Sequence, residues 1–111
     1  MAINVTTDKP KTLLSTIKEA IRAGNIGDWI CDSDGDFTMS SEQWKHKAWL
    51  RPRFTDEGLT LNILTPKQTK LSKIAYAVYH ARYIEMLLIH FDEGFRHARA
   101  TAMPVSPDVV S

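Results

Sequence analysis

The sequence predicts an α+β fold: a helix, an antiparallel sheet of three to four strands, and a long C-terminal helix packed on one sheet face, an αβββα-like order. Three observations carry this. Apolar residues recur at spacings of three and four in two segments, Leu13 to Ile21 and Leu71 to Phe91. The stretch between them changes period, with short aromatic or alternating runs in place of helical ones. Those runs are separated by turn signals at Gly24-Asn25, Asp34-Gly35 and Asp56-Glu57-Gly58.

The first helix is expected to start after Asp8 as N-cap, with Pro10 in its first turn. Leu13, Leu14, Ile17, Ala20 and Ile21 define its buried face, and Gly24 ends it by accepting the left-handed conformation. Trp29-Ile30-Cys31-Asp32 and Phe37-Thr38-Met39 flank Ser33-Asp34-Gly35-Asp36 and read as a hairpin, because glycine supplies the positive φ its turn requires. Ser40 to Gln43 form a capped helical turn. Ala48 to Phe54 reads as a strand with Leu50, Pro52 and Phe54 on one face and Trp49, Arg51 and Arg53 on the other; Pro52 places it at an edge or a bulge. Leu59, Leu61 and Ile63 alternate with Thr60 and Asn62, the pattern of a half-buried strand. The last helix is expected to begin at Thr65-Pro66-Lys67-Gln68, a capping box with proline at the first position. It ends near Gly94, or bends there and continues through Arg96, His97 and Arg99.

The length of 111 residues suits one domain, placed at 1–103. Residues 104–111, with Pro104, Pro107 and small neighbours, read as a disordered tail. Formal net charge is +1, so no global field draws the chain to nucleic acid or to an anionic membrane. The single cysteine, Cys31, leaves no intrachain disulfide and no cysteine-based zinc site, and a lone thiol suits the cytoplasm. Arg82 and Glu85 lie inside the apolar run Ile74–Phe91 and argue against a membrane span, since each charge costs about 2.5–3.5 kcal/mol there.

Chemistry-bearing patterns are few. Asp32, Asp34 and Asp36 alternate as in a calcium loop. The glycine comes at the wrong position, however, and Gln43 stands where a bidentate glutamate belongs, so no metal site is assigned. His80 and His90 are too far apart along one helix to share a metal. No catalytic residues and no cofactor are assigned, and the chain is expected not to be an enzyme.

The last helix carries two apolar stripes. Leu71, Ile74, Val78, Ala81, Ile84, Leu88 and Phe91 form one; Tyr76, Tyr79, Tyr83 and Met86 form the other. Tyrosine combines a large contact area with a polar tip and is enriched at interfaces, so Tyr76, Tyr79, Tyr83 and Met86 are the candidates for a contact with a protein partner or a second copy. The leading expectation is a small cytoplasmic, non-enzymatic protein-binding or regulatory module, homodimeric or fitted to one partner. The alternative is a nucleic-acid-binding module in which Trp44, Lys45, Lys47, Trp49, Arg51 and Arg53 neutralise phosphates and stack on bases. A small enzyme is third.

The helix–three-strand–helix order from Asp8 to Phe91, with Lys67, Lys70 and Lys73 at the start of the last helix, resembles that of double-stranded-RNA-binding domains. The resemblance is one of topology only. The family's consecutive-lysine motif and its Gly-Pro-x-His loop are not in this sequence, so no binding residues carry over.

Overall fold

The computed structural model describes residues 2–66, 70–103 and 108. Along the chain run β1 (Ala2–Thr6), α1 (Pro10–Arg22), β2 (Trp29–Cys31), β3 (Phe37–Met39), β4 (Trp49–Thr55), β5 (Gly58–Leu64), α2 (Lys73–His90) and β6 (His97–Ala100), with a 3₁₀ turn at Asp92–Gly94. The strands form one antiparallel sheet in the order β2-β3-β4-β5-β1-β6. The fold is α+β as expected, but the sheet has six strands, not three to four. β1 and β6 are the additions, and they replace the helix–three-strand–helix order shared with RNA-binding domains.

Cross-strand pairs set the faces. Ile3 pairs with Leu61, Val5 with Leu59, and Leu50 with both Ile63 and Phe37. All seven are buried, and they share one core with Leu13, Leu14, Ile17 and Ile21 of α1 and with Tyr79, Tyr83, Met86 and Leu87 of α2. Both helices therefore cover the same sheet face, and the strand faces are those the alternation predicts. Phe54 is the exception: it lies on the helix side of β4 yet is half exposed.

Local chemistry explains several boundaries. α1 has no side-chain cap; Lys9 occupies the N-cap position, and Thr7 Oγ1 accepts from the Lys9 N–H at 3.2 Å. Asp8, expected to cap, instead pairs with Arg96 at 2.8 Å. The β2–β3 connection, residues 32–36, is closed by the Gly35 N–H donating to the Asp32 carbonyl, with Gly35 at φ +85°. Gly58 opens β5 at φ +144°; a Cβ there would stand 2.5 Å from the Val5 carbonyl oxygen, so only glycine fits beside β1. β4 pairs with β5 along its length but with β3 only at Leu50, so Pro52 lies where β4 has become an edge.

α2 begins at Lys73, not at Thr65. Ser72 is its N-cap and accepts from the Ala75 N–H at 3.1 Å. Part of the expected capping box, Lys67-Gln68, lies outside the described residues. The helix ends at His90, and the chain turns through Asp92–Gly94 into a strand. The alternative of a helix continuing through His97 and Arg99 is thus overturned: those residues form β6 and pair with β1. Of the expected tail, 104–111, only Asp108 is among the described residues; its Oδ1 accepts from Asn62 Nδ2 and the Ile63 N–H, each at 2.9 Å.

Candidate functional site

Helix α2 is the element whose two faces bear most on function. The aromatic stripe points inward. Tyr79 and Tyr83 are fully buried and Met86 is 4% exposed. The Trp29 ring packs edge-on against Tyr79 and Tyr83, at 5.9 and 5.1 Å, and Phe37 lies 5.3 Å from Tyr83. The Tyr79 hydroxyl reaches the gap where β3 parts from β4. It donates to the Trp44 carbonyl, accepts from the Met39 N–H at 3.4 Å, and lies 3.2 Å from Thr38 Oγ1. Among the described residues the buried Tyr83 hydroxyl has no hydrogen-bond partner, and burial pushes its pKa well above the ordinary tyrosine value. Tyr76 is half-buried beside His80, and burial, helped by the Asp108 carboxylate, raises its pKa to about 12. Assigning Tyr79, Tyr83 and Met86 to a protein interface is therefore corrected: they are core, because the aromatic cluster of Trp29 and Phe37 is the complementary surface for them.

The outward face of α2 is the aliphatic one. Ile74 is 68% exposed, Leu88 58% and Ile89 65%. Ala77 and Ala81 are exposed between them, and Val78 and Ile84 are half-buried at the flanks. Arg82 and Glu85, paired at 3.2 Å, lie on the exposed side. That pair is the signal in the sequence that marks this face as outward; the size of the tyrosines outweighed it. A helix of a globular domain ordinarily presents a polar face to water, so this row is anomalous.

The sheet face opposite the helices carries Trp49, Arg51 and Arg53 side by side, as the alternation predicts. Each side chain has a local partner, and the charge of Arg51 is paired. Arg51 makes a bidentate pair with Asp36, Nε to Oδ1 at 3.0 Å and Nη2 to Oδ2 at 2.8 Å, and Asp36 is only 4% exposed. Arg53 Nε donates to Asn62 Oδ1 at 3.1 Å. Trp49 stacks on His46. Trp44 lies away from this row, packed against the core, and Lys45 pairs with Glu42. The six nucleic-acid candidates are thus not gathered into one surface; three share a strand face and three belong to the preceding turn.

Asp32, Asp34 and Asp36 bring carboxylate oxygens within 4.8 Å of one another. Asp32 Oδ1 accepts from the Asp34 and Asp36 N–H groups, and both Asp36 oxygens face Arg51. The arrangement closes a turn and anchors β4. A cleft of about 530 Å³ opens between the start of α1 and the end of α2, lined by Thr7, Leu13, Phe91 and Phe95 with Asp8 and His90 at its walls. Its titratable groups, Asp8, Lys9, His90, Asp92, Glu93 and Arg96, are all exposed, so none is set apart from water as acid–base chemistry demands. Burial raises the Cys31 pKa despite Arg22 and Lys18 nearby, the reverse of an activated thiol. Among the described residues no helix is long and apolar enough to cross a membrane.

Compared with protein-family models, with curated proteins and with solved structures, the chain matches none.

Proposed function

We propose that this protein is a non-enzymatic protein-binding module whose contact surface is the outward face of α2. The observation that carries this reading is the exposed row Ile74, Ala77, Ala81 and Leu88 on a helix whose opposite face already fills the core. A helix that is apolar on both sides needs two covers, and the sheet supplies one. The solvated titratable groups of the cleft favour binding over catalysis. The engaged arginines of the outer sheet face favour a protein partner over nucleic acid.

Replacing Ala81 with the photo-reactive p-benzoylphenylalanine tests the reading. Ala81 is exposed, so the change leaves the core intact. Irradiation in cell extract is expected to give a polypeptide adduct that Leu88→Lys suppresses. No polypeptide adduct at this position, or an adduct unchanged by Leu88→Lys, would overturn it.

A further inference from the structure

Resting on the reading of α2 as a contact surface, we infer that its occupant is a second copy of this chain, packed antiparallel through α2 about a two-fold axis at Ala81. Three observations converge on this.

The exposed row has the spacing of a coiled-coil seam. Exposed Ile74, Ala77, Ala81 and Leu88, with half-buried Ile84 at the flank, follow one another by three, four, three and four. The ends of the row are symmetric about Ala81, with a branched aliphatic residue seven positions away on either side, while Glu85 is the counterpart of Ala77. A two-fold contact requires that self-complementarity, since each surface must fit its own copy. With the axis at Ala81, Ile74 of one copy meets Leu88 of the other, Ala77 meets the Ile84–Glu85 turn, and Ala81 meets Ala81. The two alanines at the centre let the helices approach closely.

The charges at the helix ends supply the direction. Lys70 and Lys73 stand at the start of α2, and Asp92 and Glu93 follow its end, all exposed. None of the four makes an ion pair among the described residues. Each end carries the sign its own helix dipole disfavours: cations at the N-terminus, acids past the C-terminus. An antiparallel copy reverses this. The same axis sets Lys70 of one chain opposite Asp92 of the other, with Lys73 and Glu93 within a turn, so a basic end faces an acidic end twice.

The area bounds the strength. An 18-residue helix is about 27 Å long, and a face about 10 Å wide gives roughly 300 Å² per copy. The total falls short of the roughly 1,200 Å² at which stable complexes begin, so the dimer is weak and reversible.

Sedimentation velocity on the full chain, from about 10 μM to about 1 mM, tests it. The expected result is a concentration-dependent shift from monomer to dimer that Leu88→Lys abolishes with an unchanged circular dichroism spectrum. Lys70→Glu with Lys73→Glu, and separately Asp92→Lys with Glu93→Lys, should each weaken self-association at least about tenfold, and an equimolar mixture of the two variants should regain it. In a Cys31→Ser background, Ala81→Cys should form a disulfide-linked dimer, while Glu19→Cys on the exposed side of α1 should not. A wild-type monomer at about 1 mM would overturn the proposal, as would a dimer indifferent to Leu88→Lys or a mixture no tighter than its components. If photo-crosslinking from position 81 yields another polypeptide while the chain stays monomeric, the second-copy assignment fails and the protein-binding reading stands. If it yields no polypeptide, both fail.

Discussion

Two tyrosines one turn apart on α2 should respond in opposite directions to the loss of the same oxygen. Tyr79→Phe removes the donor to the Trp44 carbonyl and the acceptor of the Met39 N–H. The Trp44 carbonyl then keeps only the Lys47 N–H at 3.3 Å, and the Met39 N–H faces an apolar ring. Leaving buried polar groups short of partners costs roughly 1–3 kcal/mol. Tyr83→Phe removes a hydroxyl that is buried with no partner among the described residues. Its desolvation is already uncompensated in the folded state, so the change should be neutral or stabilising by up to about 2 kcal/mol. Alkaline pH separates them further. Unfolded tyrosine ionises near pH 10, whereas folded Tyr83 does so only well above it. Between those values the unfolded chain has released a proton that the folded chain retains, so stability falls as pH rises, by about 1.4 kcal/mol per pH unit for that group. Tyr83→Phe should remove this contribution and leave a shallower alkaline decline. Urea titrations followed by tryptophan fluorescence at pH 7 and above pH 10 measure both effects; Trp29 lies against both rings. Equal losses for the two variants at neutral pH, or an unchanged alkaline slope in Tyr83→Phe, would refute the reasoning.

Other outcomes follow from the same packing. Leu61→Ala, fully buried at the centre of β5, should cost roughly 2–5 kcal/mol in denaturant titration. Arg51→Met and Arg53→Met should each cost about 1–3 kcal/mol, the first because it strips the buried Asp36 carboxylate of its charged partner and the second because it leaves the buried Asn62 Oδ1 without its donor. Gly58→Ala should lower the melting temperature sharply: its φ of +144° and the 2.5 Å approach to the Val5 carbonyl leave no room for a Cβ, and such backbone strain alone costs on the order of 1–3 kcal/mol.

Much of the middle of the chain is legible from sequence. The α1 face, the Trp29–Met39 hairpin and the alternation of β4 and β5 follow from local periods and turn residues. β1 and β6 are less so. Ile3 and Val5 alternate with Asn4, but the run is short, and Asn4 is held on the outer face by a bond to Thr60 from the other half of the chain. β6, His-Ala-Arg-Ala, contains no β-branched or aromatic residue and is extended because β1 offers it a ladder. The same holds for α2. Periodicity reveals two apolar stripes and is silent on which one the sheet takes. That choice rests on Trp29 and Phe37 and on backbone groups near Met39 and Trp44 that receive the Tyr79 hydroxyl, all distant in sequence. The candidate contact face was visible as a row of residues, and its exposure was not.

The position of β1 has a consequence for how the chain is made. β2 to β5 form a meander in which each strand lies beside the one synthesised just before it. β1 precedes all of them, yet its neighbours are β5 and β6. Ile3 and Val5, almost fully buried in the finished protein, therefore wait without cover while the meander and α1 are translated. Long-range pairings of this kind are slow and leave apolar edges open to wrong partners. The early strand is thus the part of the molecule most in need of protection on the ribosome, and its capture by β5 commits the chain to this sheet order.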